Sequence, residues 1–239
     1  KAVSPSARRP QVVPSSFQTP KPGGVPGGTI VRQLPVGSSG GVPAILDASP
    51  SGASHLKVTA QSQEERREKK LSLLLEISKE LSKQQELDRL LDKVVDFTFQ
   101  IMNVDRVSIL LLEPKTDELV PCISKSRTGS TGAGKHVPQS IARKAVEERV
   151  AILSDNAAAD ERFKGKSILL QSVRSAMCTP LMGTDQKVLG ILYVDNRTAT
   201  HSFADEDLEF LIAFGSLAAV GVENSRRSEQ LRREALVLS

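Results

Sequence analysis

The residues from Gly129 to Lys135 are the first candidates for chemistry, because they read Gly-Ser-Thr-Gly-Ala-Gly-Lys. This spacing matches G-x-x-x-x-G-K, the loop that holds nucleotide phosphates with its backbone amides. A phosphate loop continues with a Ser or Thr that ligates magnesium, and it opens directly into a helix. Here His136, Val137 and Pro138 follow instead. The sequence therefore favours a surface loop over a nucleotide-hydrolysing site.

The cysteines and histidines are the remaining candidates for nucleophilic or metal chemistry. Cys122 and Cys178 lie in predicted strands without paired spacing, which indicates reduced core thiols in a cytoplasmic protein rather than a disulfide. The histidines have no carboxylate or cysteine at metal-ligand spacing. We therefore predict no catalytic residue and no metal site. The histidines are His55, His136 and His201.

The element around which the chain is organised is a predicted central hairpin between Val173 and Asp195, which includes Cys178. It consists of two apolar runs joined by the polar loop 183–187. Its second arm is too uniformly apolar to face water, so we expect helices on one face and a partner or ligand on the other. Around it we predict a hairpin over Arg106–Glu113 and Glu118–Ser124, a helix over Ser140–Arg149 with Ser140 as N-cap, and a strand over Ala151–Ser154.

Composition divides the rest of the chain. Nine of the 13 prolines and eight of the 16 glycines precede residue 53, in a segment with little to bury, so we predict a disordered linker over 1–61. Its one strand-like patch is Gly27–Arg32. Charged helix formers then predict an N-terminal signalling helix over 62–84. A domain over 85–224 and a coiled-coil exit helix over 225–239 complete the predicted organisation.

The central hairpin keeps a set of residues in the order Ser175, Cys178, Pro180 and Leu181, a short loop, and then Gly190, Leu192 and Asn196. This set, with its flanking elements, resembles GAF domains, small sensory modules of signalling proteins. The resemblance covers roughly Leu71 to Asn224 and implies an α+β fold, with a six-stranded antiparallel sheet flanked by helices. It also implies a ligand pocket beneath the loops before the hairpin. The expected pocket residues are Ile141, Asn156, Ala157, Phe163, Ser167, Gln171, Met177 and Cys178.

Cyclic nucleotides are candidate ligands, because the GAF domains that bind them resemble one another in an Asn-Lys pair, a Phe and an Asp-Glu pair. Here Asn196 precedes Arg197, Phe203 is present and Asp207 precedes Leu208, so the pattern is half kept. Arg preserves the charge of Lys but not its geometry. The acidic residues 205–207 also fit an ordinary helix start, because negative charge is favourable at the amino end of a helix. No cofactor is implied, and cyclic AMP or cyclic GMP stays a candidate ligand.

The last segment repeats apolar and small residues every 3.5 positions, the period of a left-handed coiled coil. Asn224 lies on this seam, where a polar residue sets register in a parallel dimer. We therefore predict a homodimer through the N- and C-terminal helices. The predicted seam consists of Phe214, Leu217, Gly221, Asn224, Leu231 and Leu238.

The charge pattern argues against nucleic acid as a partner. The net charge is +4, but basic residues alternate with acids in 64–70 and 226–229, as they do on solvated helix faces. Aromatic residues are 3% of the chain and Trp is absent, so base-stacking platforms are missing. No run approaches the roughly 18 apolar residues of a membrane span.

Three segments of the sequence resemble the regulatory region of bacterial class III adenylate or guanylate cyclases, which carry FHA, GAF and cyclase domains in that order. They are Arg162–Ser167, Ser175–Leu181 and the exit helix. The resemblance implies a non-catalytic regulatory region that relays ligand binding to an output domain in cis. A ligand-free dimerisation and spacer module is the alternative. A thiol enzyme like the GAF-type methionine sulfoxide reductases is a third hypothesis, for which two strand cysteines are too few. Some GAF domains attach a bilin chromophore to a pocket cysteine that is commonly followed by His. Neither cysteine of this chain is followed by His, so we do not predict bilin attachment.

Overall fold

The computed structural model describes residues 31–37, 56–58, 62–83, 85–129, 137–154, 173–197 and 203–237. Within these ranges the chain forms six strands and four helices. In chain order they are β1 (Val31–Pro35), α1 (Gln63–Leu81), α2 (Leu87–Ile101), β2 (Arg106–Leu112), β3 (Leu119–Ser126), α3 (Gln139–Glu148), β4 (Val150–Ser154), β5 (Ser175–Met182), β6 (Val188–Asn196) and α4 (Asp205–Val237).

The strands form one six-stranded sheet in the order β1-β4-β5-β6-β2-β3, and every neighbouring pair is antiparallel. The predicted α+β fold with a six-stranded antiparallel sheet is therefore confirmed. The β5–β6 hairpin lies at its centre, and every residue of β5 is buried, which explains why both arms are so apolar.

The sixth strand comes from a place that the composition did not indicate. Val31–Pro35 lies inside the segment predicted to be a linker, yet it pairs with all five residues of β4. The strand-like patch Gly27–Arg32 overlaps β1 only at Val31 and Arg32, and no local pattern identifies the distant edge of β4 as its partner. Residues 1–30 and most of 38–61 lie outside the described residues.

The main core lies between one face of the sheet and the helices α1, α2 and α4. The apolar stripe of α2 is buried there, and this helix packs against β2 and β3. On the opposite face α3 packs against β4, β5 and β6. The N-cap of α3 is Pro138, which makes no side-chain cap, so the prediction of Ser140 as N-cap was wrong. The main core includes Ile77, Leu90, Val94, Met177, Leu192, Val194, Phe210 and Phe214.

A buried ion cluster joins α1 to the beginning of α4. The Glu206 side chain is 1% exposed and accepts hydrogen bonds from Arg66 Nε at 2.9 Å and Nη2 at 3.3 Å, and it also pairs with Lys70. Burial acts to raise the pKa of Glu206, but the hydrogen bonds from Arg66 and Lys70 outweigh burial and leave that pKa below its usual value. The cluster therefore fixes the orientation of α1 against α4.

Helix α4 is long and apolar enough to cross a membrane by length and composition alone, but 61% of its most apolar window is buried in the protein. Its Gly215 lies against β5 so closely that a Cβ there would be 2.9 Å from Thr179 Cγ2. This burial is that of a core helix, and it brings the α4 backbone into direct contact with the central hairpin.

Candidate functional site

A row of polar side chains crosses the face of the sheet on which α3 packs. Cross-strand pairing places Tyr193 of β6 beside Ser108 of β2, and Ser108 beside Ser124 of β3. The two serine Oγ atoms are 2.7 Å apart and buried. Asp195 follows Tyr193 by two residues on the same strand, so both side chains project from the same face. The face is therefore polar at its centre, although its surroundings are apolar.

An ion pair closes one end of this row. Arg106 Nε donates to Asp195 Oδ1 at 2.8 Å and Nη2 donates to Oδ2 at 2.7 Å. The two side chains are 7% and 0% exposed. Burial raises the pKa of Asp195, and the hydrogen bonds from Arg106 offset part of that rise. Burial acts to lower the pKa of Arg106, but the hydrogen bonds to Asp195 outweigh burial and raise that pKa, so the guanidinium stays charged.

Two buried hydroxyl groups on this face have no hydrogen-bond partner among the described residues, Ser154 Oγ and Tyr193 Oη. Both residues are 0% exposed. Burial and the nearby Asp195 carboxylate raise the pKa of Tyr193 well above its usual value, so the phenol stays protonated. The hydroxyl interacts with the Asp195 carboxylate and lowers the pKa of that carboxyl, so Ser154 Oγ is the less satisfied of the two hydroxyls. An unpaired buried hydroxyl costs about 1–3 kcal/mol, so these two hydroxyls are the groups on this face with hydrogen-bonding capacity to spare.

Apolar side chains surround the polar row and form a second core separate from the main one. Ile141 and Ala145 of α3 cover it, while Cys178 of β5 and Ile152 of β4 lie beside it in the sheet. The ion pair neutralises the buried charge. Among the described residues, this face combines a closely packed apolar cluster with the buried hydroxyls of Ser154 and Tyr193.

The structure brings together two of the predicted pocket residues, Ile141 and Cys178, on this face. Met177 projects into the main core on the other side of the sheet, because adjacent strand residues point to opposite faces. The remaining predicted pocket residues lie outside the described residues. They are Asn156, Ala157, Phe163, Ser167 and Gln171.

Sequence reasoning did not identify the polar row itself. Its signal was nonetheless present, since Tyr193 and Asp195 are polar residues two positions apart in a strand that is otherwise apolar. The partner Arg106 begins β2, a distant strand whose register with β6 only the fold defines. Ser154, at the end of β4, carried no recognisable pattern.

Two residues of the half-kept cyclic-nucleotide pattern brace the end of β6. Asn196 Oδ1 accepts a hydrogen bond from the Asp105 amide at 2.9 Å, and its Nδ2 donates to the Asn103 carbonyl at 3.4 Å. The Arg197 amide donates to Asp105 Oδ2 at 2.8 Å, and its side chain is exposed. These contacts hold β6 to the loop that precedes β2.

The other two residues of that pattern lie at the beginning of α4. Phe203 is buried in the main core. Asp207 Oδ2 accepts a hydrogen bond from the Ala204 amide at 2.8 Å, and Oδ1 accepts one from the Leu56 amide at 3.2 Å. Asp207 thus stabilises the helix start and ties the segment 56–58 to it. Both roles are structural, as the helix-start interpretation predicts.

The predicted coiled-coil seam divides between the interior and the surface. Phe214 is fully buried in the main core, and a Cβ at Gly221 would be 3.0 Å from Leu90 Cδ1 of α2. These two positions therefore contact the same chain, because α4 packs on its own sheet and on α2. Leu217 is half-buried, whereas Asn224 and Leu231 are exposed. Leu238 lies outside the described residues.

The two cysteines differ from the prediction of two core thiols. Cys178 is buried, and burial raises the pKa of its thiol. Cys122 is exposed in the edge strand β3, at a bulge where the pairing with β2 shifts register, and partial burial of its sulfur raises its pKa as well. A raised pKa leaves little thiolate at neutral pH. Within the described ranges, no group of His, Cys, Asp and Glu could hold a metal ion.

We expect neither thiol to react quickly. At pH 7, iodoacetamide should leave Cys178 unmodified in the folded protein and should label Cys122 more slowly than it labels free cysteine, because the thiolate is the nucleophile. Intact-mass and peptide mass spectrometry would follow both sites, and labelling in urea provides the control in which both react. A cysteine that reacts faster in the folded protein than in urea would support a thiol-based enzyme.

The Gly129–Lys135 motif is described only at its first residue, where Gly129 has a φ of 82°. A positive φ is readily adopted by glycine and fits the turn that ends β3. Residues 130–136 lie outside the described residues.

The fold and the site define an α+β domain with a central antiparallel hairpin, long helices on one face, and a short helix over a polar row on the other. The family model for the GAF domain matches residues 86–222. The chain therefore belongs to the GAF domain family. Compared with curated proteins, the sequence has no significant match.

Solved structures share this fold at low sequence identity. The free methionine-R-sulfoxide reductase of Neisseria meningitidis, in complex with its substrate, is 16% identical over 74% of this chain and 98% of that chain, with a TM-score of 0.56. The GAF domain of the Acinetobacter phosphoenolpyruvate-protein phosphotransferase is 20% identical over 66% and 95%, with a TM-score of 0.54. A methyl-accepting chemotaxis protein fragment is 17% identical over 63% and 97%, with a TM-score of 0.50.

Proposed function

We propose that this chain is a sensory module that binds a small molecule on the α3 face of its sheet and relays binding to an output domain in cis. GAF domains are sensory and regulatory, and similar folds occur in signalling proteins. The observation that carries the proposal is the fully buried Ser154 Oγ, which lacks a partner among the described residues, on the same face as Tyr193 Oη, whose polar neighbour is the Asp195 carboxylate. In a ligand-free spacer, burying an unpaired hydroxyl would only destabilise the fold. In a binding site, the same hydroxyl can hydrogen-bond a ligand.

The relay in this proposal passes through β5. Cys178 lies on the ligand face of β5, and its neighbour Thr179 contacts Gly215 of α4 on the opposite face. A ligand that shifts β5 therefore shifts the helix that leaves the domain. The ligand must bind one arrangement of α4 more tightly than the other, since only differential affinity moves an equilibrium.

The proposed output acts through a homodimer formed by α1 and α4. Large apolar side chains are exposed on both helices, with Leu75 of α1 at 70% and Val220 and Leu231 of α4 at 41% and 61%. Leu217, Asn224 and Leu231 are the predicted seam positions that are half-buried or exposed, and the exposed Val220 replaces the buried Gly221, so these four positions form the proposed seam. We propose a class III nucleotide cyclase as the output, on the strength of the sequence resemblance, and a cytoplasmic location.

The experiment that tests this function is native mass spectrometry of the full chain, alone and with cyclic AMP or cyclic GMP. We expect a dimer, and a gain of nucleotide mass would identify a cyclic-nucleotide sensor despite the half-kept motif. A dimer that gains nothing from either nucleotide directs the search to a neutral ligand or to the spacer alternative. A monomer at micromolar concentration would contradict the dimer relay.

Two conservative variants separate a binding role from a structural one. Tyr193→Phe and Ser154→Ala remove the unpaired hydroxyls, so each should leave the free energy of unfolding unchanged or raise it by up to about 1 kcal/mol. Urea unfolding provides the measurement. A loss of about 1–3 kcal/mol in either variant would mean that the hydroxyl has a structural partner. Ser108→Ala is the matched control, because it breaks the bond to Ser124 and should destabilise.

A further inference from the structure

The outer edge of β4 is occupied by a strand from far upstream in the chain. Five residues of β1 pair with the five residues of β4, from Val31 opposite Ser154 to Pro35 opposite Val150. The Val36 amide adds a hydrogen bond to the Arg149 carbonyl at 3.0 Å. On its inner side β4 pairs with β5 through only three residues, Ile152 to Ser154. Strand β4 is therefore paired over a greater length with β1 than with the rest of the sheet.

Strand β1 lies outside residues 86–222, the part of the chain that the GAF family model matches. Backbone hydrogen bonds hold it to β4, and of its described side chains Leu34 packs against the main core. Gln33 and Leu34 are half-buried, Pro35 is exposed, and Val36 is 8% exposed in the main core. Segments that bury few side chains open locally at a lower free energy than the core does.

We propose that the outer edge of β4 is a docking surface for an extended peptide strand, and that residues 31–36 of this chain are its releasable occupant. Docking of these residues immobilises β4, and undocking leaves Val150 and Ala151 without a strand partner. Backbone hydrogen bonds provide the affinity, as in other cases of strand addition to a sheet edge. Val36, which is buried in the main core, provides the side-chain anchor, and the next residue, Gly37, lies close to Met182.

Docking also reaches the candidate ligand face, because β4 ends at Ser154, whose hydroxyl lies there. A ligand that binds Ser154 Oγ restrains β4 and so favours docking of β1, and docked β1 favours the ligand to the same degree, since coupling is reciprocal. This last step rests on the proposed function, whereas the docking of the strand does not. The upstream segment would then regulate ligand affinity.

The pairing pattern allows a matched pair of proline variants. Amides on an antiparallel strand point toward the partner at alternate residues, so the bond from the Val36 amide implies that the Leu34 amide also faces β4. The backbone nitrogens of Gln33 and Pro35 face away from β4, and such positions tolerate proline in an edge strand. Leu34→Pro should therefore break the ladder, and Gln33→Pro should preserve it.

The test is hydrogen exchange of the full chain, followed residue by residue by NMR, without any ligand. We expect Leu34→Pro to speed exchange of the Ala151 and Leu153 amides by at least about ten-fold, with β2, β5 and β6 unchanged. Gln33→Pro should stay within about three-fold of the wild type. A synthetic peptide of residues 29–38, added to the Leu34→Pro variant, should restore the protection of β4.

Three outcomes would overturn the proposal. In the Leu34→Pro variant, unchanged exchange in β4 would mean that β5 alone holds this strand. Loss of protection in every strand at once would mean that β1 is an integral part of the fold and not a releasable occupant. A peptide that fails to restore protection would mean that the edge is not a docking surface. Because no ligand is used, a negative result in native mass spectrometry leaves this test unaffected.

Discussion

Replacing Asp195 by Asn is expected to lower the free energy of unfolding by about 3–5 kcal/mol, the usual cost of removing one partner from a buried ion pair. Arg106 would keep its charge at a position where only 7% of its side chain is exposed. Water cannot solvate the guanidinium there, and an amide replaces neither the charge nor the second acceptor. A domain of this size is stable by only about 5–15 kcal/mol, so the loss is a large fraction of the total.

Urea unfolding followed by circular dichroism measures this change through the midpoint at constant slope. The double variant Arg106→Met, Asp195→Leu removes both charges and should recover most of the lost stability, because apolar pairs often replace buried ion pairs without cost. Glu147→Gln is the exposed control; it breaks the pair with Arg143, whose side chain is 73% exposed, and should change stability by less than about 0.5 kcal/mol. If Asp195→Asn were as mild as this control, water would have to reach the ion pair.

Local patterns in the sequence were enough to predict the sheet core and its covering helices. The apolar runs of β5 and β6, and the apolar positions of α3, depend on neighbours within one element. Burial of those elements follows directly from their composition. The family resemblance supplied the six-stranded antiparallel sheet, whereas the order of its strands came from the structure.

The site could not be predicted in the same way, because it depends on register between distant strands. The ion pair joins Arg106 and Asp195, which are 89 residues apart in sequence. A shift of one residue in that register would place them on opposite faces of the sheet. Alternation alone could have removed one error, since Met177 and Cys178 are adjacent in a strand and cannot both line one pocket.

The 3.5-residue pattern of α4 illustrates a different limit. Its repeat is real, but the first half of the helix satisfies it within one chain, where Phe214 packs in the core and Gly221 packs on Leu90. A sequence repeat indicates that one face of a helix is covered. It does not indicate whether the same chain or a second copy covers that face. Only the exposed positions, such as Val220 and Leu231, are available to a second copy.

Gly190→Ala is expected to be the most disruptive single methyl group in the described part of the chain. A Cβ at Gly190 would lie 2.2 Å from the Leu110 carbonyl oxygen and 2.8 Å from Leu111 Cα. Both atoms are backbone, so no side-chain rotation relieves the contact, and β6 would have to move away from β2. Overpacking a core usually costs about 1–3 kcal/mol, and a backbone clash in a central strand should reach at least about 3 kcal/mol.

The reason for the glycine is the irregular pairing beside it. The register of β5 against β6 shifts at Leu181, so that Leu189 is an extra residue and Gly190 approaches β2 unusually closely. Glycine inside a strand commonly marks such a bulge or close approach. The residue therefore sets the spacing between β6 and β2, and with it the alignment that brings Asp195 to Arg106 five residues further along.

Gly183→Ala is the matched control for this prediction. A Cβ at Gly183 would approach Asp185 Oδ1 at 3.3 Å and Leu189 Cδ1 at 3.4 Å, both of which are side-chain atoms that can move. It should change stability by less than about 1 kcal/mol. Urea unfolding of both variants gives the comparison, and NMR shifts of Arg106 and Asp195 would show whether the ion pair separates. Equal stabilities for the two variants would contradict the close approach of β6 and β2, because only that approach distinguishes the two glycines.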